Sequence, residues 1–142
     1  MIYLASPYTH ADPSVREARF QAVCRQAAEM MRRGVVVFSP IAHSHAIAAY
    51  GLPIEWAFWE RFDRVFLERC DEVWVLALDG WSVSRGVQAE IAMARELGNP
   101  VLLINTSSRS KRSELPCDTS PRSERSELPC NASSRSERRK LK

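Results

Sequence analysis

The chain has 142 residues, 45% of them apolar and 26% charged, with a formal net charge of +3. Its charge is uneven: residues 1–106 hold 10 Arg, no Lys and 12 Asp+Glu, a net of −2, while residues 107–142 hold 10 Lys+Arg and 5 Asp+Glu, a net of +5. The length suits one domain with a single core, and the basic balance belongs to the C-terminal segment, so charge gives no ground for nucleic-acid binding by the domain.

Met1–Ala5 is short and apolar, bounded by Ser6-Pro7, and reads as a central strand. Asp12-Pro13 supplies an N-cap and a proline at the first helical position. Val15, Ala18, Ala22, Ala27 and Met31 then recur at mostly three- and four-residue spacing up to Gly34, the pattern of an amphipathic helix with a glycine stop. Val35–Phe38 reads as a second strand, ended by Ser39-Pro40. The segment Ile41–Tyr50, with His43 and His45, reads as a loop with room for a helical turn. Pro53 opens a second helix through about Arg69, rich in aromatics. Val73–Leu78 is a third strand, Ser84–Leu97 a third main helix, and Val101–Ile104 a fourth strand.

Near-continuous apolar strands alternating with helices predict a three-layer α/β domain over residues 1–106, a flavodoxin-like (Rossmann-type) parallel sheet. Right-handed crossovers favour strand order 2-1-3-4. Ligands bind such sheets at the switch point, here where Ser6-Pro7-Tyr8 meets Asp79–Gly86.

From Ser107 the sequence repeats with a period of 13: SSRSKRSELPCDT, SPRSERSELPCNA and a partial SSRSERRKLK. One large apolar residue per unit cannot build a core, so residues 107–142 read as a disordered low-complexity tail. Two origins stay open, a basic arm for RNA or another acidic partner and, preferred for its mixed charges, a translated repetitive element.

Cys24, Cys70, Cys117 and Cys130 show no CxxC or Cys/His ligand spacing and read as free thiols of a reducing compartment. MIYLASPYT lacks the basic and long apolar regions of a signal peptide, and no apolar run is long enough for a membrane span. The expected location is cytoplasmic. His43 and His45, on the same side if extended, lack the further ligands a metal site needs, so no metal is expected.

The stretch most suggestive of chemistry is Asp79–Gly98, DGWSVSRGVQAEIAMARELG. A strand, a small-residue loop and a helix start present backbone N–H groups to an anion, with Glu90 one turn further in. SRGVQAEIAMARELGNPVLLI, Tyr3 in IYLAS and Asp63 in RFDRVFLERCDEV together resemble the nucleoside 2-deoxyribosyltransferase superfamily, which includes deoxynucleoside monophosphate N-glycosidases. SPYT and SPIAHSH look most like its uncharacterised bacterial and phage branch.

The resemblance spans residues 1–105. It implies Glu90 as nucleophile on the anomeric carbon, Asp63 assisting the departing base or orienting the sugar, and Tyr3 holding Glu90. Ser84 would contact a phosphate and Gly86 would let the backbone approach. It also implies a nucleoside or nucleotide substrate, a homo-oligomer, and no metal or organic cofactor. Ser6, Tyr8, His43, His45 and Trp81 complete the candidate binding set.

Each has a plainer reading. Glu90 alone would be a solvated helix residue, and Asp63 an ion-pair partner of Arg61 or Arg64. Tyr3 would be a packed core tyrosine, Ser84 only an N-cap, and Trp81 a cover for the core. A non-catalytic nucleotide-binding or sensing domain is the main alternative, and an assembly module a weaker one.

Overall fold

The computed structural model describes residues 1–106. The tail, with the disorder expected of it, lies outside the described residues. The four strands β1 (Ile2–Ala5), β2 (Val37–Phe38), β3 (Glu72–Leu76) and β4 (Val101–Ile104) form one parallel sheet in the order β2-β1-β3-β4. Four helices connect them: α1 (Pro13–Arg32), α2 (Pro40–Ala48), α3 (Trp56–Leu67) and α4 (Arg85–Glu96).

Side-chain alternation along the strands divides the core in two. Tyr3 and Ala5 of β1 and Val73 and Val75 of β3 face Leu67 on α3 and Val87, Ile91 and Ala94 on α4. Leu4 and Leu76, on the other face of the same strands, meet Val23, Ala27 and Met30 on α1. This is the expected three-layer order. The crossovers leave β1 and β3 on opposite faces and open a crevice at their carboxyl ends.

Local chemistry explains where boundaries differ from expectation. β2 is two residues long because Val35 gives its N–H to Met30 O at 3.1 Å, closing α1 behind Gly34 (φ 79°). α3 starts at Trp56 rather than Pro53, because the Pro53 carbonyl accepts the Trp59 indole N–H at 2.7 Å and the chain stays extended until Glu55. β3 ends at Leu76, before a left-handed Gly80 and a 3₁₀ turn at Trp81–Val83.

The expected loop at Ile41–Tyr50 is largely helical. Ser39 caps α2 by accepting from Ala42 N, and Pro40 takes the first turn. Among the described residues, no helix is long and apolar enough to cross a membrane.

Candidate active site

At the carboxyl edge a cavity of about 470 Å³ lies between the segment after β1, the end of α2, the first half of α3 and the start of α4. That volume suits a small organic ligand. Glu90 and Asp63 both line it, at 4% and 8% exposure.

Glu90 sits in the second turn of α4, on the face that packs the sheet. Tyr3, fully buried in β1, donates its Oη–H to Glu90 Oε1 at 2.8 Å. Burial pushes the Tyr3 phenol well above 10, and the Glu90 and Asp63 charges add to this, so Tyr3 stays protonated and remains a donor. Glu90 itself is pushed up to about 8, by burial first and also by Asp63, against the Tyr3 hydrogen bond that lowers it.

Asp63 is pushed up to about 7 by burial. The expected competitors for it are engaged elsewhere. Arg61 stacks over Phe62 at 4.6 Å, and Arg64 reaches Glu96 at 3.9 Å. Sequence spacing leaves a helix aspartate free to pair or to turn inward, and here it turns inward.

Ser6, Tyr8, Ser84 and Gly86 also line the cavity. Ser6 Oγ is buried with no hydrogen-bond partner among the described residues. Ser84 caps α4, accepting from Val87 N at 3.5 Å, which leaves the helix start facing the cavity. Gly86 is needed for closeness: a Cβ there would lie 3.3 Å from the Trp56 ring.

Three candidates fall elsewhere. His45 turns toward α1, where it stacks on Phe20 at 4.0 Å, meets Tyr8 Oη at 2.9 Å through Nδ1 and Glu17 at 3.1 Å through Nε2. His43 lines a second, aromatic hollow. Two positions apart on a helix are about 200° apart, so α2 separates the side chains that an extended loop would have aligned. Trp81 packs on the α3–α4 core, because the 3₁₀ turn swings its indole inward and leaves Val83 to line the cavity.

Sequence reasoning missed the cavity's cations. Arg19, on α1, donates to Thr9 O at 3.0 Å and Asp79 O at 2.9 Å, and lines the cavity with Arg85. Arg19 looked like one more charge on the solvated face of an amphipathic helix. Arg85 carried a signal, since a cation in a helix's first turn opposes the macrodipole and calls for a reason.

Residues 1–106 match the family described as domain of unknown function DUF1937. The chain belongs to this family. The DUF1937 match covers the same residues as the sheet, the four helices and the cavity. No curated protein matches the chain. Among the described residues no three His, Cys, Asp or Glu side chains converge as a metal site would need.

Proposed function

We propose that the domain cleaves, or transfers at, the N-glycosidic bond of a (deoxy)nucleoside or its 5′-monophosphate. The observation that carries this reading is the 2.8 Å contact from Tyr3 Oη to Glu90 Oε1 on the floor of a cavity that Asp63 also lines. A carboxylate held by a buried phenol is oriented toward one side of a bound sugar. Attack by Glu90 on the anomeric carbon breaks the bond to the base, whose leaving electron pair takes up the Asp63 proton. Water or an acceptor base then displaces the glycosyl group from Glu90. Asp63, pushed up to about 7, still holds a proton near neutrality and so suits the acid role.

The resemblance to nucleoside 2-deoxyribosyltransferases supports the same roles at the same positions. Arg19 and Arg85, beside the Ser84-capped start of α4, provide the positive surroundings a 5′-phosphate requires. A homo-oligomer and a cytoplasmic setting belong to this proposal.

The test is incubation of the full chain with a panel of nucleosides and deoxynucleoside monophosphates, watching free base by chromatography. Release by the wild type and silence of Glu90→Ala support the proposal; no release from any member at pH 7–8 sinks it. One observation favours the second reading, a nucleotide sensor. Burial holding Glu90 up to about 8 leaves it largely neutral at pH 7, a better hydrogen-bond donor than nucleophile. Tight nucleotide binding without base release at any pH would select the sensor.

A further inference from the structure

His45 is not part of the cavity wall, yet it holds a residue that is. Its ring lies flat on Phe20 of α1, with centroids 4.0 Å apart and planes within 9°, so both ring nitrogens have fixed directions. Nε2 meets Glu17 Oε2 at 3.1 Å, and Nδ1 meets Tyr8 Oη at 2.9 Å. Tyr8 lines the cavity.

The direction of the hydrogen bonds along this chain follows from its outer end. A carboxylate only accepts, so Nε2 carries the hydrogen that faces Glu17. In the neutral imidazole Nδ1 then has a lone pair, and the phenol gives its O–H to it. Tyr8 therefore has no proton left for a ligand, and its oxygen meets the cavity as an acceptor. Arg16 also acts on this phenol, but it directs Nη1 to the carbonyls of His10 and Ala11. The backbone beneath is held as well. Arg19 donates to Thr9 O at 3.0 Å, and Thr9 Oγ1 donates to Ile54 O at 3.3 Å, ahead of α3. The acceptor is set in place before a ligand arrives, which lowers the cost of using it.

Building on the nucleotide reading, we propose that Tyr8 determines specificity by selecting a ligand that presents a hydroxyl or amino hydrogen, with His45 and Glu17 as its positioning residues. A nucleotide has two groups of this kind, the 3′-hydroxyl of the sugar and an exocyclic amine on the base. A carbonyl or bare ring nitrogen in the same place would set acceptor against acceptor and lose water without gaining a bond.

The test is equilibrium binding by the full chain carrying Glu90→Gln, so that no probe is consumed. Deoxyadenosine 5′-monophosphate, its analogue without the 6-amino group and its analogue without the 3′-hydroxyl are each titrated calorimetrically. At least one analogue should bind about tenfold weaker than the parent nucleotide. Adding Tyr8→Phe should shrink that difference to about twofold, with the fold intact by circular dichroism, and the analogue so affected identifies the group that Tyr8 meets. His45→Leu should shrink it too. His45→Asn, whose amide oxygen takes the place of Nδ1, should restore most of it, a rescue that a histidine serving only to pack would not show. Equal binding of the three probes, binding of none, or a difference that survives Tyr8→Phe overturns the inference. His45→Asn behaving as His45→Leu overturns the positioning role. Base release by the wild type without any such difference sinks this inference and leaves the glycosidase reading standing; the difference without base release does the reverse.

Discussion

Asp71 and Glu90 are carboxylates at opposite ends of the same sheet, and the protein handles them in opposite ways. Asp71 lies at the exposed amino edge, where the chain's own terminal ammonium donates to it and holds its carboxyl below the ordinary range. Glu29, half-exposed on α1, is lowered in the same manner by Arg33 and Arg32. Glu90 and Asp63, at the carboxyl edge, are buried without an ion pair among the described residues and pushed up to about 8 and about 7. Exposed carboxylates with cations nearby cost the fold little and leave room for little chemistry. Buried ones without a cation oppose folding once charged, and a domain retains that burden where a site uses it.

The sharpest way to break this contrast is Glu90→Gln. It keeps the shape and the Tyr3 contact but removes the nucleophile, so base release should drop at least about a thousandfold. Loss of ten-fold or less, measured by single-turnover chromatography, would move the chemistry off Glu90. Asp71→Asn in the same assay should change nothing.

Stability gives the next contrast. A carboxyl raised in the folded state binds its proton more tightly there than in the unfolded chain. The folded state therefore holds more protons between about pH 4.5 and 8, and stability falls as pH rises through that window. Urea midpoints should drop from pH 5 to pH 8. At pH 8 Glu90→Gln should be more stable than the wild type by on the order of 2–4 kcal/mol, and equal or lower at pH 5. A midpoint flat with pH would contradict the burial of an ionisable group at position 90.

The pair also shapes the rate. With Glu90 needing to lose a proton near 8 and Asp63 needing to keep one near 7, kcat/KM should trace a narrow bell peaking at about pH 7.5. Asp63→Asn should remove the alkaline limb and leave a single rise with pH set by Glu90 alone. Tyr3→Phe is the mildest of the site changes. It strips the donor from a buried carboxyl, should cost about 1–3 kcal/mol, and should move the acid limb upward.

Sheet order was legible in the sequence because β1, β3 and β4 are apolar runs, β1 ended by Ser6-Pro7 and β3 followed by Asp79-Gly80. The helix over Pro40–Ala48 was not, because His43 and His45 suggested a loop while the cap at Ser39 and Pro40 went unweighed. At the site, Glu90 could be placed from its distance to Ser84, a purely local fact. Where Asp63 points could not, since that depends on Arg61 and Arg64 finding Phe62 and Glu96 instead. Arg19 was hidden for a similar reason. Its partners are backbone carbonyls at Thr9 and Asp79, and the second is 60 residues away.

That arginine has one more effect. Its fork grips the lip after β1 with one nitrogen and the lip after β3 with the other, and left-handed Gly80 leaves it only 3.2 Å of clearance for a Cβ. A single planar group thus sets both the aperture of the crevice and part of its positive potential. Drift at position 19 cannot retune one without disturbing the other, so changes in ligand size and ligand charge are mechanically yoked in this domain.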